Sequence, residues 1–480
     1  MKEMDDLSDS DSSGARMAAV ILAAGMGTRM RSGLPKVLHR AAGDPLVVHV
    51  VEAARVAGVS DIVVVVGHGR DLVMSALGDS VRYAVQEPQL GTGHALSSAI
   101  ETLDPVPSHL IVLCGDAPLV RPETIARLAA EGRDAAVVVL SANLPEPRGY
   151  GRIVRGSDGS VRAIVEEADA TEAERAISEI NSGIYRLDGS WVAANLSKIE
   201  KSRKGEYYLT DLVALAVREG RNVRALVASE AAEVLGVNDR FQLAEADRVL
   251  RYRHCARLMD AGVTVVDPSS TFVERSVSVG QDSTIYPGTH LRGRTTVGAR
   301  CEIGPNAILE DATVGDDCRI VASMLEQCVV DDRVAVGPFS HLRPGAVIKA
   351  GARIGNYAEV KNSTVGEGVQ MHHFSYLGDA EVGSGTNVGA GTITCNFDGR
   401  TRKKYRTKIG KGVFLGSDTL LRAPVELGDG AQTGAGAVVT KNVPAGSLAV
   451  GVPARIRQLR GAETEQAETK LDGGVEGSGS

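Results

Sequence analysis

Two groups of residues in the 480-residue chain have the types and spacing to do chemistry. The first opens with Leu22-Ala23-Ala24-Gly25-Met26-Gly27-Thr28-Arg29-Met30 and continues through Leu34-Pro35-Lys36. Glycines in such a loop let backbone N–H groups approach a phosphate, and a helix start behind them adds a favourable dipole. Arg29 and Lys36 supply two fixed cations, which suits charge build-up on a triphosphate. The loop lacks both the GxGxxG dinucleotide spacing and the GK[ST] of a P-loop, so neither a dehydrogenase nor a P-loop NTPase fits well. Asp116 comes directly after Gly115 at the end of the apolar run HLIVLC, the kind of strand end where α/β sheets hold ligands.

The second group is Arg343, Lys361, His373, Tyr376, Asn387 and Asn396, with Lys404 in the basic stretch beyond them. Arg343 and Lys361 are eighteen residues apart, a spacing that returns to the same face of a six-residue repeat. Two cations on one groove suit a phosphate. His372-His373 lies in a polar run with Tyr376, so a general base is available there. Neighbouring side chains on a coil are expected to point apart, so only one of the two histidines can serve.

These groups need elements to position them. Between Met17 and about Val237, short apolar runs alternate with helical stretches. AAVILAAG, DIVVVVG, HLIVLCGD and AAVVVL read as strands, and PLVVHVVEAARVAGV reads as an amphipathic helix ending at a glycine. That alternation predicts a mostly parallel, doubly wound α/β domain over 17–237. Residues 238–261 predict a connecting helix capped by Asn238 or Asp239, with Leu243, Ala246, Val249, Leu250, Ala256 and Met259 on one face. From about Val265 the period becomes six: Val279-Gly280, Ile285, Leu291, Val297-Gly298 and Ile303-Gly304. After an irregular stretch the repeat resumes at Val336-Gly337 and runs to Leu427-Gly428. An aliphatic residue every six positions, often followed by glycine, is the pattern of a parallel β-helix, here over 262–460. Residues 397–408 interrupt it with a basic loop, expected on a binding face.

Composition agrees. Glycine is frequent (55 residues) and aromatics are only 4%, which suits a repetitive β architecture with many tight turns. The net charge of −7 gives no support for nucleic-acid binding. Cys114, Cys255, Cys301, Cys318, Cys328 and Cys395 show no CxxC pair, and free thiols in a reducing, cytoplasmic setting are expected. No apolar run reaches membrane-spanning length, so no membrane association is expected. Residues 1–16 and 461–480 are polar and read as disordered tails.

The ordered set of motifs resembles one family. Gln86, Gly91-Thr92 in QLGTGHA, Gly115-Asp116, GYGR at 149–152, Glu166, EINSG at 179–183 and GVN at 236–238 are similar to the sugar-1-phosphate nucleotidyltransferases. With HLRPGA, NYAEVK, HHFSYLGDAEVG, NVGAGTITCNFDG and GSDT, the whole resembles the bifunctional N-acetylglucosamine-1-phosphate uridylyltransferase/glucosamine-1-phosphate acetyltransferase family. The resemblance implies a Rossmann-like nucleotidyltransferase domain and a left-handed β-helix. It implies a homotrimer with acyltransfer sites between neighbouring subunits. The substrates would be glucosamine-1-phosphate, acetyl-CoA and UTP with Mg²⁺, and the product UDP-N-acetylglucosamine, a cell-envelope precursor.

The same resemblance assigns residues. Leu22, Ala23, Ala24, Gly25, Gln86, Gly91 and Thr92 would surround the nucleotide, with Arg29 and Lys36 on the triphosphate. Gly151, Glu166 and Asn181 would hold the sugar, and Asp116 and Asn238 the Mg²⁺. Cys114 stands where the family usually has Tyr. His373 would be the acetyltransferase base. Arg343, Lys361, Tyr376 and Asn387 would bind the sugar phosphate, with Lys404 reaching it as well. Ala390, Asn396, Phe397, Lys404, Ser417 and Ala435 would line the coenzyme, and Phe397 replaces a family Tyr. A monofunctional sugar-1-phosphate nucleotidyltransferase with a purely structural β-helix is the alternative.

Overall fold

The computed structural model describes residues 16–132, 134–202 and 205–458. These fall into two compact units, one up to His254 and one from Cys255. The expected tails lie outside the described residues except for Arg16. Its guanidinium donates to Asp61 (3.3 Å) and to the Pro105 carbonyl (3.2 Å), so this residue is held rather than loose.

In the first unit one sheet forms the centre. Its main path runs Val223–Val227, Val137–Asn143, Glu179–Asp188, His109–Cys114, Met17–Leu22, Asp61–Val66, Arg82–Val85. Glu179–Asp188 pairs antiparallel with both neighbours, and the other pairs on this path are parallel. The central strands are buried on both faces, which is why AAVILAAG and DIVVVV read as unbroken apolar runs. Helices Leu46–Val56, Thr92–Ile100, Pro122–Ala130 and Asp211–Arg218 present apolar stripes to it. Glu179–Asp188 and the short strands Arg82–Val85 and Val223–Val227 carry little apolar alternation and are not evident in the sequence.

The helix Arg240–Asp260 forms where a connecting helix is expected. Asp239 caps it, accepting from the Gln242 N–H at 2.9 Å. Its buried residues are Ala246, Leu250, His254, Cys255 and Leu258; Met259, expected inward, is exposed.

The second unit is a parallel β-helix of three sheets with twelve, ten and nine strands, most only two to four residues long. Each coil contributes one strand to each sheet. Ile285, Ile303, Ile320, Val336, Ile354, Met371, Val388 and Leu415 are stacked in register and almost completely buried. The stretch between Ile303 and Val336 reads as irregular in the sequence but is two ordinary coils. Leu309, Val314, Ile320, Leu325 and Val330 continue the core there. The coils are merely one or two residues shorter at a corner, which destroys a strict six-residue count without moving the inward positions.

Candidate active sites

The loop after the first strand is shaped by one close approach. Gly27 has φ +60°, and a Cβ on it would lie 2.5 Å from the Lys36 Cβ. The loop can therefore fold down over the lysine stem only with glycine at this position. It leads into a three-residue 3-10 turn, Thr28–Met30, and not into an α-helix. The α-helix dipole expected there is absent, and Arg29 lies in the turn itself.

Four assigned side chains converge next to this turn. The Lys36 ammonium pairs with the Asp116 carboxylate and donates to Asn238 Oδ1 at 3.1 Å. Arg29 donates to the same Asn238 oxygen at 2.9 Å. Asp116 stands at the end of His109–Cys114, where its carbonyl accepts from the Val237 N–H at 2.8 Å. Gly236 lies beside the Asp116 carboxylate; a Cβ there would be in ordinary contact with both oxygens at 3.5 Å. A carboxylate and an amide oxygen already facing one cationic group form a hard donor set. That set fits a Mg²⁺ ion that draws its remaining ligands from water and phosphate. Among the described residues no cluster of three or more His, Cys, Asp or Glu could hold a metal by itself.

Beside these residues lies a cavity of about 470 Å³ lined by Leu22, Thr92, Cys114, Glu166 and Asn181 among others. Asn181 Oδ1 accepts from the Gly183 N–H (3.0 Å) and from the Tyr185 hydroxyl (2.9 Å). Gly151 faces Glu166, whose oxygens would lie 3.5 Å from a Cβ there, and Thr210 donates to Glu166 at 3.4 Å. Gln86 is buried and donates to the Gly91 carbonyl at 2.9 Å. Gly91, with φ +95°, abuts the Tyr207 backbone. The Cys114 thiol sits 3.4 Å from the Gly183 carbonyl, and burial, reinforced by Asp116, pushes it up to about 12. It is a neutral wall of the cavity. Tyr185, Tyr208, Thr210 and Glu167 also line the cavity and are not evident in the sequence; lone residues on strand edges and loops carry no pattern.

In the β-helix, Arg343, Lys361 and Lys404 come together. The Lys361 ammonium is held below the usual lysine range by Arg343 first and by Lys404 second. The three cations repel one another, and the Asp379 carboxylate partly offsets that repulsion at Lys361. Arg343 is meanwhile paired with Glu359 at 2.7 Å. The Tyr376 hydroxyl lies over Gly378, whose missing side chain makes room for it.

A second cavity, about 370 Å³, is lined by His372, His373, Phe374, Asn387, Ala390, Phe414 and Ser417. Both histidines line it, their rings 6.4 Å apart and inclined at 63°. His373 and Phe374 form a bend between the strands Gln370–Met371 and Ser375–Gly378. Ala390, Ser417 and Ala435 form a column, with Asp418 N–H on the Ala390 carbonyl (2.6 Å) and Gly436 N–H on the Ser417 carbonyl (2.8 Å). Phe414, exposed in register with Asn387, is a further lining residue that no motif marks in the sequence.

The basic loop is a hairpin, Phe397–Asp398 against Lys403–Lys404. Asn396, assigned to the coenzyme, is buried and its amide donates to Asp379. Its side chain therefore braces the root of the hairpin. Phe397 and Lys404 are exposed on the hairpin itself.

Known proteins fit this geometry. The MobA-like NTP transferase domain model matches residues 19–181. The models for the bacterial transferase hexapeptide (six repeats) and the hexapeptide repeat of succinyl-transferase match 276–311 and 406–441. The bifunctional protein GlmU of Trichlorobacter lovleyi is 48% identical over 90% of this chain and 95% of its own length. Those of Syntrophomonas wolfei and Streptomyces avermitilis are 44% and 47% identical, over 91% and 90% of this chain and 97% and 91% of their own lengths. The chain belongs to the bifunctional GlmU family. It carries a uridylyltransferase and an acetyltransferase.

Proposed function

We propose that the two clusters are the two active sites, and that they act in sequence. The β-helix acetylates glucosamine-1-phosphate with acetyl-CoA. The α/β domain then joins N-acetylglucosamine-1-phosphate to UMP from UTP, releasing pyrophosphate. The observation that supports this most directly is the placement of Lys36, Arg29, Asp116 and Asn238 around one point.

In acetyl transfer, Arg343, Lys361 and Lys404 bind the sugar 1-phosphate, and Tyr376 and Asn387 orient the ring. The 2-amine attacks the thioester carbonyl, a C–N bond forms, and the C–S bond breaks. His373 takes the amine proton and can return it to the departing coenzyme thiolate. A backbone N–H within the column of Ala390, Ser417 and Ala435 is the candidate donor to the oxyanion, and Phe397 and the hairpin flank the coenzyme. A neighbouring subunit of a homotrimer completes this open groove.

In uridylyl transfer, Leu22 to Gly25 with Gln86, Gly91 and Thr92 hold the nucleotide. Glu166, Asn181 and Gly151 hold the sugar. A phosphate oxygen of the sugar attacks the α-phosphorus in line, and the bond to pyrophosphate breaks. Lys36 leaves Asp116 to join Arg29 on the phosphates. Asp116 and Asn238 would hold Mg²⁺, which would supply charge neutralisation to the phosphates. The rest of the catalysis is positioning. With no helix among the described residues long and apolar enough to cross a membrane, a cytoplasmic setting suits these substrates.

The test is to supply glucosamine-1-phosphate, acetyl-CoA, UTP and Mg²⁺, and to measure free thiol and pyrophosphate separately. Wild type should release both. His373→Ala should lose thiol release yet still release pyrophosphate from N-acetylglucosamine-1-phosphate; Asp116→Ala should do the reverse. Pyrophosphate without thiol under every condition would leave the β-helix a scaffold.

A further inference from the structure

We propose that Glu233 is a positioning residue that sets the separation of Asp116 and Asn238, and with it the affinity of the uridylyl-transfer site for its divalent cation. The inference rests on reading that pair as the cation ligands. Glu233 lies in the 3-10 turn Ala231–Val234, five residues before Asn238, and is only 1% exposed. Its carboxylate accepts from the Thr124 hydroxyl and from the Arg121 backbone N–H (3.4 Å), at the start of helix Pro122–Ala130. Arg121 Nε is 3.8 Å from its other oxygen, and the same guanidinium pairs with Glu230 at 2.7 Å. Arg253 adds a second cation nearby and donates to the Leu119 carbonyl at 2.8 Å.

These contacts tie together two segments, 116–124 and 230–238. One end of the tie is the ligand pair, where the Val237 N–H meets the Asp116 carbonyl at 2.8 Å and Lys36 bridges the side chains. The other end is Glu233. A buried carboxylate is costly to leave without its partners, so it holds Thr124 and Arg121 in place. The spacing of two ligand oxygens is thereby set by a side chain that has no contact with either.

The experiment compares full-length Glu233→Gln and Thr124→Val with wild type and Asp116→Asn. Mn²⁺ binding in the presence of UTP is read from the electron paramagnetic resonance of free Mn²⁺. The Mg²⁺ dependence of pyrophosphate release is measured in parallel, with thiol release as the folding control. Both the Mn²⁺ dissociation constant and the half-saturating Mg²⁺ should rise about ten-fold in Glu233→Gln. The rate at saturating Mg²⁺ and thiol release should stay near wild type. Thr124→Val, which keeps every charge, should move in the same direction, and decides the matter if Glu233→Gln does not fold. A lower melting temperature with unchanged Mn²⁺ affinity overturns the proposal. If Asp116→Asn also leaves Mn²⁺ binding intact, the cation-site reading itself falls and this inference with it.

Discussion

Single atoms decide much of the first site. Gly27 is the sharpest case, because a methyl group there must displace the stem of Lys36. Gly27→Ala should lower pyrophosphate release by at least about ten-fold, corresponding to roughly 1.4 kcal/mol, while thiol release stays unchanged. Cys114 makes a second prediction at this scale. Its thiol, raised to about 12, is protonated at pH 8, with roughly one molecule in ten thousand as thiolate. Alkylation at pH 8 and then mass spectrometry should label exposed Cys395 and spare Cys114. Lys361 titrates in the opposite sense. Because Arg343 and Lys404 lower it, it sheds its proton below the ordinary lysine value of about 10.4. The KM for glucosamine-1-phosphate should therefore begin to rise at a lower pH than an unperturbed lysine would give, and that early rise should vanish in Lys361→Arg.

At the scale of the element, the β-helix core and its outer site are one object. Leu342 is fully buried between Leu325 and Val360, and its neighbour Arg343 hydrogen-bonds the Val360 carbonyl at 2.8 Å. Leu342→Ala should destabilise the second unit by about 2–5 kcal/mol, seen as a lower midpoint in urea. In a stacked repeat such damage spreads mainly to adjacent coils, so acetyl transfer should suffer while uridylyl transfer does not. The hairpin 397–404 carries Lys404 to Lys361 and hangs on the bond from Asn396 to Asp379.

For the whole molecule, the two units have separate cores and separate sites. Lys36→Ala should abolish pyrophosphate release with thiol release intact, and Lys361→Ala should raise the KM for glucosamine-1-phosphate with pyrophosphate release intact. Lys404 is exposed and Arg343 and Lys361 are half-buried, so salt reaches the trio and that KM should climb between about 0.05 and 0.5 M salt. An unchanged KM over this range would show that the three cations do not bind the phosphate.

Patterns of two, 3.6 and six residues depend only on which side of a strand, helix or coil a side chain faces. The apolar strands of the α/β sheet, the connecting helix and the coils of the β-helix are legible in the sequence for that reason. So are Arg29, Lys36, Asp116, Arg343 and Lys361, because each is a charged residue beside a recognisable turn or repeat. The antiparallel strand Glu179–Asp188 and the two continuous coils between Ile303 and Val336 are not, since long-range pairing and shortened corners leave no local period. Nor could the sequence show that His372 and His373 share one cavity, or that Asn396 turns inward to Asp379. It could not replace the expected helix dipole with a 3-10 turn, or bring Asp116 and Asn238 to one ammonium. Those facts belong to the tertiary structure, where the positions of atoms far apart in the chain are set by packing and hydrogen bonding rather than by spacing along it.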